Sequence, residues 1–308
     1  DPLPTVQISG VVWSQTIVGT KVFAGGSFAN ARPAGAAAGT NLTPRANLLA
    51  YDLTTGVLDT SFAPSLNAQA RVVAASPDGS RLYVGGDFTT VDGQTRSRIA
   101  AFDTATGALV ASFAPNVGYQ VYAIAATATT VYVGGNFQGV GTSARSYLAA
   151  FRASDGALLD WAPRAAGGFV RALSLSPDGT KVAIGGHFTS LNGSSNPGYG
   201  LAMVDAVTGA SLPMNANSLV RNAGNNSAIM SFHSDGQFLY GTGYTYSAGG
   251  VLEGTFKATW TDGTLEWLQD CHGDEYSVTT VGDAVYVVGH PHYCGNVGGF
   301  PQTNPWSF

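Results

Sequence analysis

Short runs of alternating or continuous apolar residues, cut by Asp-Gly and Thr-Gly pairs, cover nearly the whole chain. From Val170, "VRALSLS" leads through "PDGT" to "KVAIGGHF", then a Gly/Asn/Ser loop, "GLAMVDA", the turn "VTG" and "ASLPM". The period is two and no helical period is present, which predicts four antiparallel strands joined by tight turns. The same order returns about every fifty residues, the spacing of repeat architectures built from four-stranded units. Aligned on a glycine pair, the copies read "AGGSF" at Ala24–Phe28, "VGGDF" at Val84–Phe88, "VGGNF" at Val133–Phe137 and "IGGHF" at Ile184–Phe188. Weaker copies follow as "YGTGY" at Tyr240–Tyr244 and "VVGHP" at Val287–Pro291. These are the expected blades of an all-β propeller. The glycine pair is expected where a neighbouring blade or the channel wall comes close, and the following Phe in the wider space between blades.

The recurrent acids fit the turns. Asp78, Asp178 and Asp235 fall in the first hairpin turn, and Asp52, Asp103 and Asp205 share a column before the third. Asx side chains cap backbone N–H groups at such places, and catalysis needs its residues once rather than once per unit. An insertion after the first glycine pair, "ANARPAGAAAGTNLTP", reads as a surface loop. "GTGYTYSAGG" and "NGSSNPGYG" read as flexible loops by composition.

The string "YVGGDFTTVDGQTRSRIAAFDTATGALVASFAP" resembles the delta-60 repeat, a β-propeller repeat of secreted and surface proteins of bacteria, actinobacteria especially. The likeness is clear from Val22 to Met214 and weaker in the fifth and sixth units. It speaks for the fold and hardly for an activity. "AAFDTATGAL" is also similar to the docking motif of quinoprotein dehydrogenase propellers, but Trp161 is the only Trp ending such a unit, so no cofactor is carried over. The units run approximately 6–64, 71–115, 121–163, 170–214, 228–268 and 276–308, within one propeller domain, 1–308. The sixth stops after its second strand, which makes about five and a half blades. Bare sheet edges invite aggregation, and the resemblance implies further chain that completes seven blades, with six as the alternative.

Composition narrows the partners. Net charge is −5 and the 14 basic residues are scattered, so no basic stripe exists to neutralise the phosphates of a nucleic acid. No apolar run approaches the roughly 18 residues of a membrane span, so no membrane insertion is expected. The chain starts at Asp1, as the product of signal-peptide cleavage does, and its two cysteines suit a secreted or cell-surface protein.

The residue types able to do chemistry gather late in the chain. His272, His290 and His292, Cys271 and Cys294, and Glu253, Glu266 and Glu275 all lie between positions 253 and 294. Three readings compete. Cys271 and Cys294 form a disulfide across a hairpin turning at Val281–Ala284, rather than serving as free thiols or metal ligands. His290 and His292, on one side of an extended chain, bind a metal with His272 or Asp270, or else they pack as polar groups around the disulfide. Asp270, Asp274 and Glu275 supply paired carboxylates for a polysaccharide hydrolase or lyase, or are solvated loop acids. No zinc spacing, nucleophile elbow, phosphate loop or dinucleotide fingerprint is present, and neither metal nor cofactor is expected. Tyr119, Tyr199, Tyr244, Tyr246, Tyr293 and Trp306 lie in or beside loops, where exposed aromatics stack on sugars or anchor protein ligands. The expectation is a non-catalytic propeller that recognises an extracellular glycan or surface protein, its oligomeric state left open.

Overall fold

A computed structural model of the chain describes residues 4–246, 250–294 and 298. Its sheets are antiparallel, and among the described residues the only helical element is a 3-10 turn at Asn215–Ser218. The chain divides into two compact units, Asp1–Val133 with Phe137–Ala144 and Ala150–Leu159, and Gly134–Asn136 with Arg145–Ala149 and Asp160–Phe308. The division falls within the third repeat, whose sheet is Val121–Ala126, Thr130–Gly135 and Leu148–Arg152.

In unit one, the first sheet pairs Gln7–Val18 with Lys21–Arg32, which also pairs with Leu48–Asp52 and the short Thr43–Pro44. The second sheet is Ala70–Ala75, Arg81–Gly86 and Ile99–Asp103. The expected fourth strand is reduced in the first three repeats to single bridges, Tyr51 to Leu58, Phe102 to Leu109 and Phe151 to Leu158. Those runs end in "FAP" or "WAP", and a proline cannot donate to a ladder. Unit two holds two complete four-stranded sheets. One is Val170–Leu175, Lys181–Gly186, Leu201–Asp205 and Ser211–Leu212, and the other is Ser227–Ser234, Phe238–Thr245, Gly254–Thr259 and Leu265–Asp270. The sixth repeat is the hairpin of Glu275–Val281 and Ala284–Gly289, turning at Gly282–Asp283 as expected.

The glycine pair has two separate reasons. A Cβ on Gly85 would lie 2.4 Å from Val121 Cγ1, on the first strand of the next repeat, and one on Gly185 would lie 2.7 Å from Ile229 Cγ2. The first glycine therefore lets adjacent sheets approach. A Cβ on Gly86 would lie 2.3 Å from the Gln69 carbonyl oxygen, and one on Gly186 2.4 Å from that of Phe169. The second glycine therefore admits the backbone of its own sheet's first strand. Phe88, Phe137 and Phe188, which follow the pair at the same offset, are fully buried. In unit one Phe62 wedges edge-on between Phe23 and Phe102, its ring centroid 5.0 and 5.9 Å from theirs. Aromatic edges of this kind and the aliphatic core around them supply most of the burial that holds the sheets together.

The acid columns are turn chemistry. The Asp52, Asp103 and Asp205 carboxylates each accept two backbone N–H bonds and a threonine hydroxyl. Hydrogen bonds from Ser76 and Ser80 hold Asp78 down to about 2, and those from Ser176 and Thr180 do the same for Asp178. The loops expected to be flexible are partly built in. "GTGYT" belongs to the strand Phe238–Thr245, and the side-chain oxygen of buried Asn217 accepts the N–H groups of Gly198 and Tyr199. The first-repeat insertion also adds to its ladder, since Pro44 pairs with Asn30 and Thr43 with Ala31.

Candidate functional site

The late segment folds around a Cys271–Cys294 disulfide, with the two Cα atoms 4.5 Å apart. The Cys271 carbonyl accepts N–H bonds from His292 and Tyr293, so the chain after the hairpin is laid back on the chain before it. His272 sits in a left-handed turn with φ of 48°. Its ring nitrogen lies 3.7 Å from Asp270, and its ring centroid lies 5.8 Å from that of Tyr293. His290 and His292 stack as the extended chain requires, Nδ1 of one 3.4 Å from Nε2 of the other. The left-handed turn gives His272 partners of its own, so it does not complete a three-ligand set with them. Among the described residues no group of three or more His, Cys, Asp or Glu is arranged to hold a metal ion.

Glu275 is 4% exposed and accepts the Thr255 hydroxyl; burial pushes its carboxyl above the ordinary value. Asp274 accepts the Tyr276 hydroxyl at 3.0 Å and lies 3.3 Å from His290 Nε2. Asp270 caps the His272 N–H. The hydrogen bonds of these three carboxylates go to different groups, and the Asp270 charge also raises Glu275. Glu253, counted in the sequence but assigned no role, is also raised, by burial and by the nearby charges of Asp274 and Asp270.

A second arrangement runs through the repeats and includes part of this segment. Opposite the glycine pair the first strand slips by one residue: between Val12 and Ser14, Ala70 and Val72, Val170 and Ala172, Ile229 and Ser231, and Glu275 and Ser277. The inserted residues are Trp13, Arg71, Arg171, Met230 and Tyr276, with Tyr122 at the equivalent sequence position of the third repeat. A β-bulge re-aims the side chain of its extra residue. The residue after the glycine pair then donates its N–H to the residue two places before the bulge. Asp87 bonds Gln69, His187 bonds Phe169 and His290 bonds Asp274 in this way. The second, fourth and sixth repeats thus each build a rung of three side chains. The fifth-repeat register places Thr242 and Gly243 against the slip, so Tyr244 rather than Gly243 holds the position of Asp87. That corrects the sequence alignment of "YGTGY" by one residue.

In unit one the rungs are linked. Trp13 Nε1 donates to Gln69 at 2.8 Å and Gln69 donates to Asp87 at 2.7 Å. Arg71 meets both Asp87 oxygens at 2.8 Å and lies 5.0 Å above the Tyr122 ring, whose hydroxyl donates to Gln120. Arg98 lies 5.7 Å from the Tyr119 ring centroid. In unit two Arg171 lies 5.2 Å from the Phe169 ring centroid, and His187 lies 4.3 Å from Phe169 and 6.1 Å from Tyr244 by ring centroids. Burial lowers the His187 pKa, and burial together with the hydrogen bond to Asp274 pushes Tyr276 up to about 12. The aromatic residues named by the sequence are dispersed: Tyr119 is in unit one, Tyr199 lies under Arg221, Tyr246 is exposed and Tyr293 is beside His272. Trp306 lies outside the described residues.

No family model matches the chain, and no curated protein does. Solved structures match in fold. One is the computationally designed Ika8 protein, at 14% identity and a TM-score of 0.52, the match covering 91% of this chain and 68% of that one. Another is hydrazine synthase of Kuenenia stuttgartiensis, at 14% identity and a TM-score of 0.56, covering 92% of this chain and 74% of that one. Both similar structures contain β-propellers, and the all-β chain with its four-stranded antiparallel sheets has the same kind of fold.

Proposed function

We propose that the chain is a non-catalytic recognition module of a secreted or surface-attached bacterial protein, its ligand an extracellular glycan or surface protein. It is part of a seven-bladed propeller of the delta-60 kind. The observation that carries the reading is the rung: one backbone device is repeated, while the side chains mounted on it change from Gln, Arg and Asp to Phe, Arg and His to Asp, Tyr and His. A constant frame with varied planar groups suits recognition, because rigid mounting lowers the ordering cost of binding.

Glu253 supports the competing reading of a polysaccharide-active enzyme. A carboxyl raised by burial beside Asp274 and Asp270, with His272 and His292 near, has the protonation tendency of a general acid. An array of glycans and cell-wall polymers, with released products analysed, separates the two. Binding without product release is expected; turnover abolished by Glu253→Gln, Glu275→Gln or His272→Ala overturns the recognition reading.

A further inference from the structure

We propose that the linked rungs of unit one form a binding site for the pyranose rings of a neutral polysaccharide, built from Trp13, Gln69, Arg71, Asp87, Tyr119 and Tyr122. The proposal specifies the ligand class and location for the recognition role above, and rests on that role. A pyranose ring offers an apolar face of C–H groups and a rim of hydroxyls, so its receptor needs flat aromatic surface next to planar hydrogen-bonding groups.

Unit one supplies both within one connected network. Trp13 and Tyr119 are 53% and 48% exposed, and each is held by a member of the network, Trp13 by Gln69 and Tyr119 by Arg98. Gln69, Asp87 and Arg71 are half-buried and joined by three bonds onto the Asp87 carboxylate, and Trp13 adds a fourth onto Gln69. Gln69 carries two amide donors and Arg71 five guanidinium donors, more than those three bonds use. Their side chains are already ordered, so a sugar hydroxyl meeting them does not have to freeze them.

The charge pattern selects a neutral ligand. The bidentate pair between Arg71 and Asp87 cancels in place, and Arg98 is directed to the Asp87 carbonyl oxygen. A site for sulfate or uronate groups would instead leave its guanidinium forks turned to the ligand. A protein ligand is disfavoured because the groups beside these aromatics are polar and charged, whereas protein hot spots are desolvated and apolar at their centre.

The test is calorimetric titration of the intact chain with neutral oligosaccharides based on glucose, mannose, galactose and N-acetylglucosamine, at low and high salt. At least one series is expected to bind, with affinity little changed by salt. Trp13→Ala and Tyr119→Ala should each weaken that binding about tenfold, the loss of one stacking contact. Both positions are exposed, so melting temperature should hold, and His290→Ala in unit two should bind as the unaltered chain does. A bound sugar that ignores both aromatic substitutions overturns the site while sparing the recognition role. Binding of no member of the panel, or of acidic glycans alone with steep salt dependence, overturns the ligand class. Release of cleaved product overturns the recognition role itself.

Discussion

Asp87 in the second repeat and His290 in the sixth occupy the same place on the same device, each donating its backbone N–H across a one-residue slip. What surrounds them differs. Burial pushes the Asp87 carboxyl up, but hydrogen bonds from Arg71 and Gln69 outweigh it and hold the group below its ordinary value. The Arg71 and Asp87 side chains are 22% and 16% exposed, whereas His290 is 56% exposed beside Asp274 and Tyr276. One rung is a closed ion pair and the other an open hydrogen-bonding group. The comparison teaches that the frame is set by backbone geometry, while the letter written on it is free to vary.

The sharpest way to break the comparison is through the first glycine. Gly85 faces Val121 at a distance no Cβ could keep, while Val207, in the third turn of the fourth repeat, is 83% exposed. Gly85→Val should cost about 3 kcal/mol or more by overpacking two sheets. Val207→Ala should stay within about 0.5 kcal/mol, as surface changes do. Denaturant melts of the two variants check this, and similar costs would mean the first glycine is not a packing device.

The next effect is in the rung itself. Asp87→Ala strands the Arg71 guanidinium and the Gln69 amide, partly buried, and should cost about 2 kcal/mol. His290→Ala removes an exposed ring and should cost less than about 0.5 kcal/mol. Equal costs in thermal melts would show that both rungs are structural and that neither is reserved for a ligand.

The sequence made the frame legible and hid the device mounted on it. Turn acids such as Asp103 and Asp178 announce themselves by local spacing, and the two cysteines could pair only across the one hairpin between them. The bulge has no such signature. Trp13, Arg71, Arg171, Met230 and Tyr276 have no residue type in common across the set, because the slip is imposed by pairing with a strand that contains glycine. The signal that was available is the variable position inside a constant frame, Ser27, Asp87, Asn136 and His187 between a glycine pair and a Phe. A search for clustered histidines and acids reached His290 and Asp274 but treated them as particular to one segment. Tyr276 carries no signal of its own, because a tyrosine within a strand looks like packing. The fourth strands are shorter than the apolar alternation predicts, single bridges in the first three repeats and two residues in the fourth.

A smaller effect separates the rungs by pH. His187 is buried and its pKa is lowered by that burial, its Nδ1 2.8 Å from the Gly224 carbonyl and Arg171 nearby. The unfolded ring titrates near 6.5, so as pH falls below about 6.5 the unfolded state takes up a proton that the folded state refuses. Stability should decline from there until the lowered folded value is reached, then level off. His233, also lowered by burial, adds in the same direction. The Asp87 pair keeps its full contribution throughout, since a lowered carboxylate loses its stabilisation only below the unfolded value of about 3.9. Melting temperature followed between pH 8 and pH 5 should fall, and His187→Gln should flatten part of the slope. An unchanged slope would place the titration elsewhere.

The smallest expected effect has the opposite sign and lies directly beneath the sixth rung. Glu275 precedes the bulged Tyr276 and turns inward to Thr255, and its carboxyl is raised because burial penalises the charge more than the threonine hydroxyl relieves it. The unfolded carboxyl ionises near 4.3, and the folded one resists until a higher pH. As pH rises through that interval the unfolded state releases its proton first, so stability falls, and the ionised form is a net cost at neutral pH. Glu275→Gln retains an oxygen able to accept the Thr255 hydroxyl and removes the charge. The variant should therefore melt slightly higher than the parent at pH 7.5, and this gain should vanish near pH 3, where the parent carboxyl is protonated in both states. A parent that melts higher at pH 7.5 would show that the Glu275 charge has a compensating partner. Ligand binding in unit one should be the same in both chains, since Glu275 lies in the other unit and contributes only to the frame.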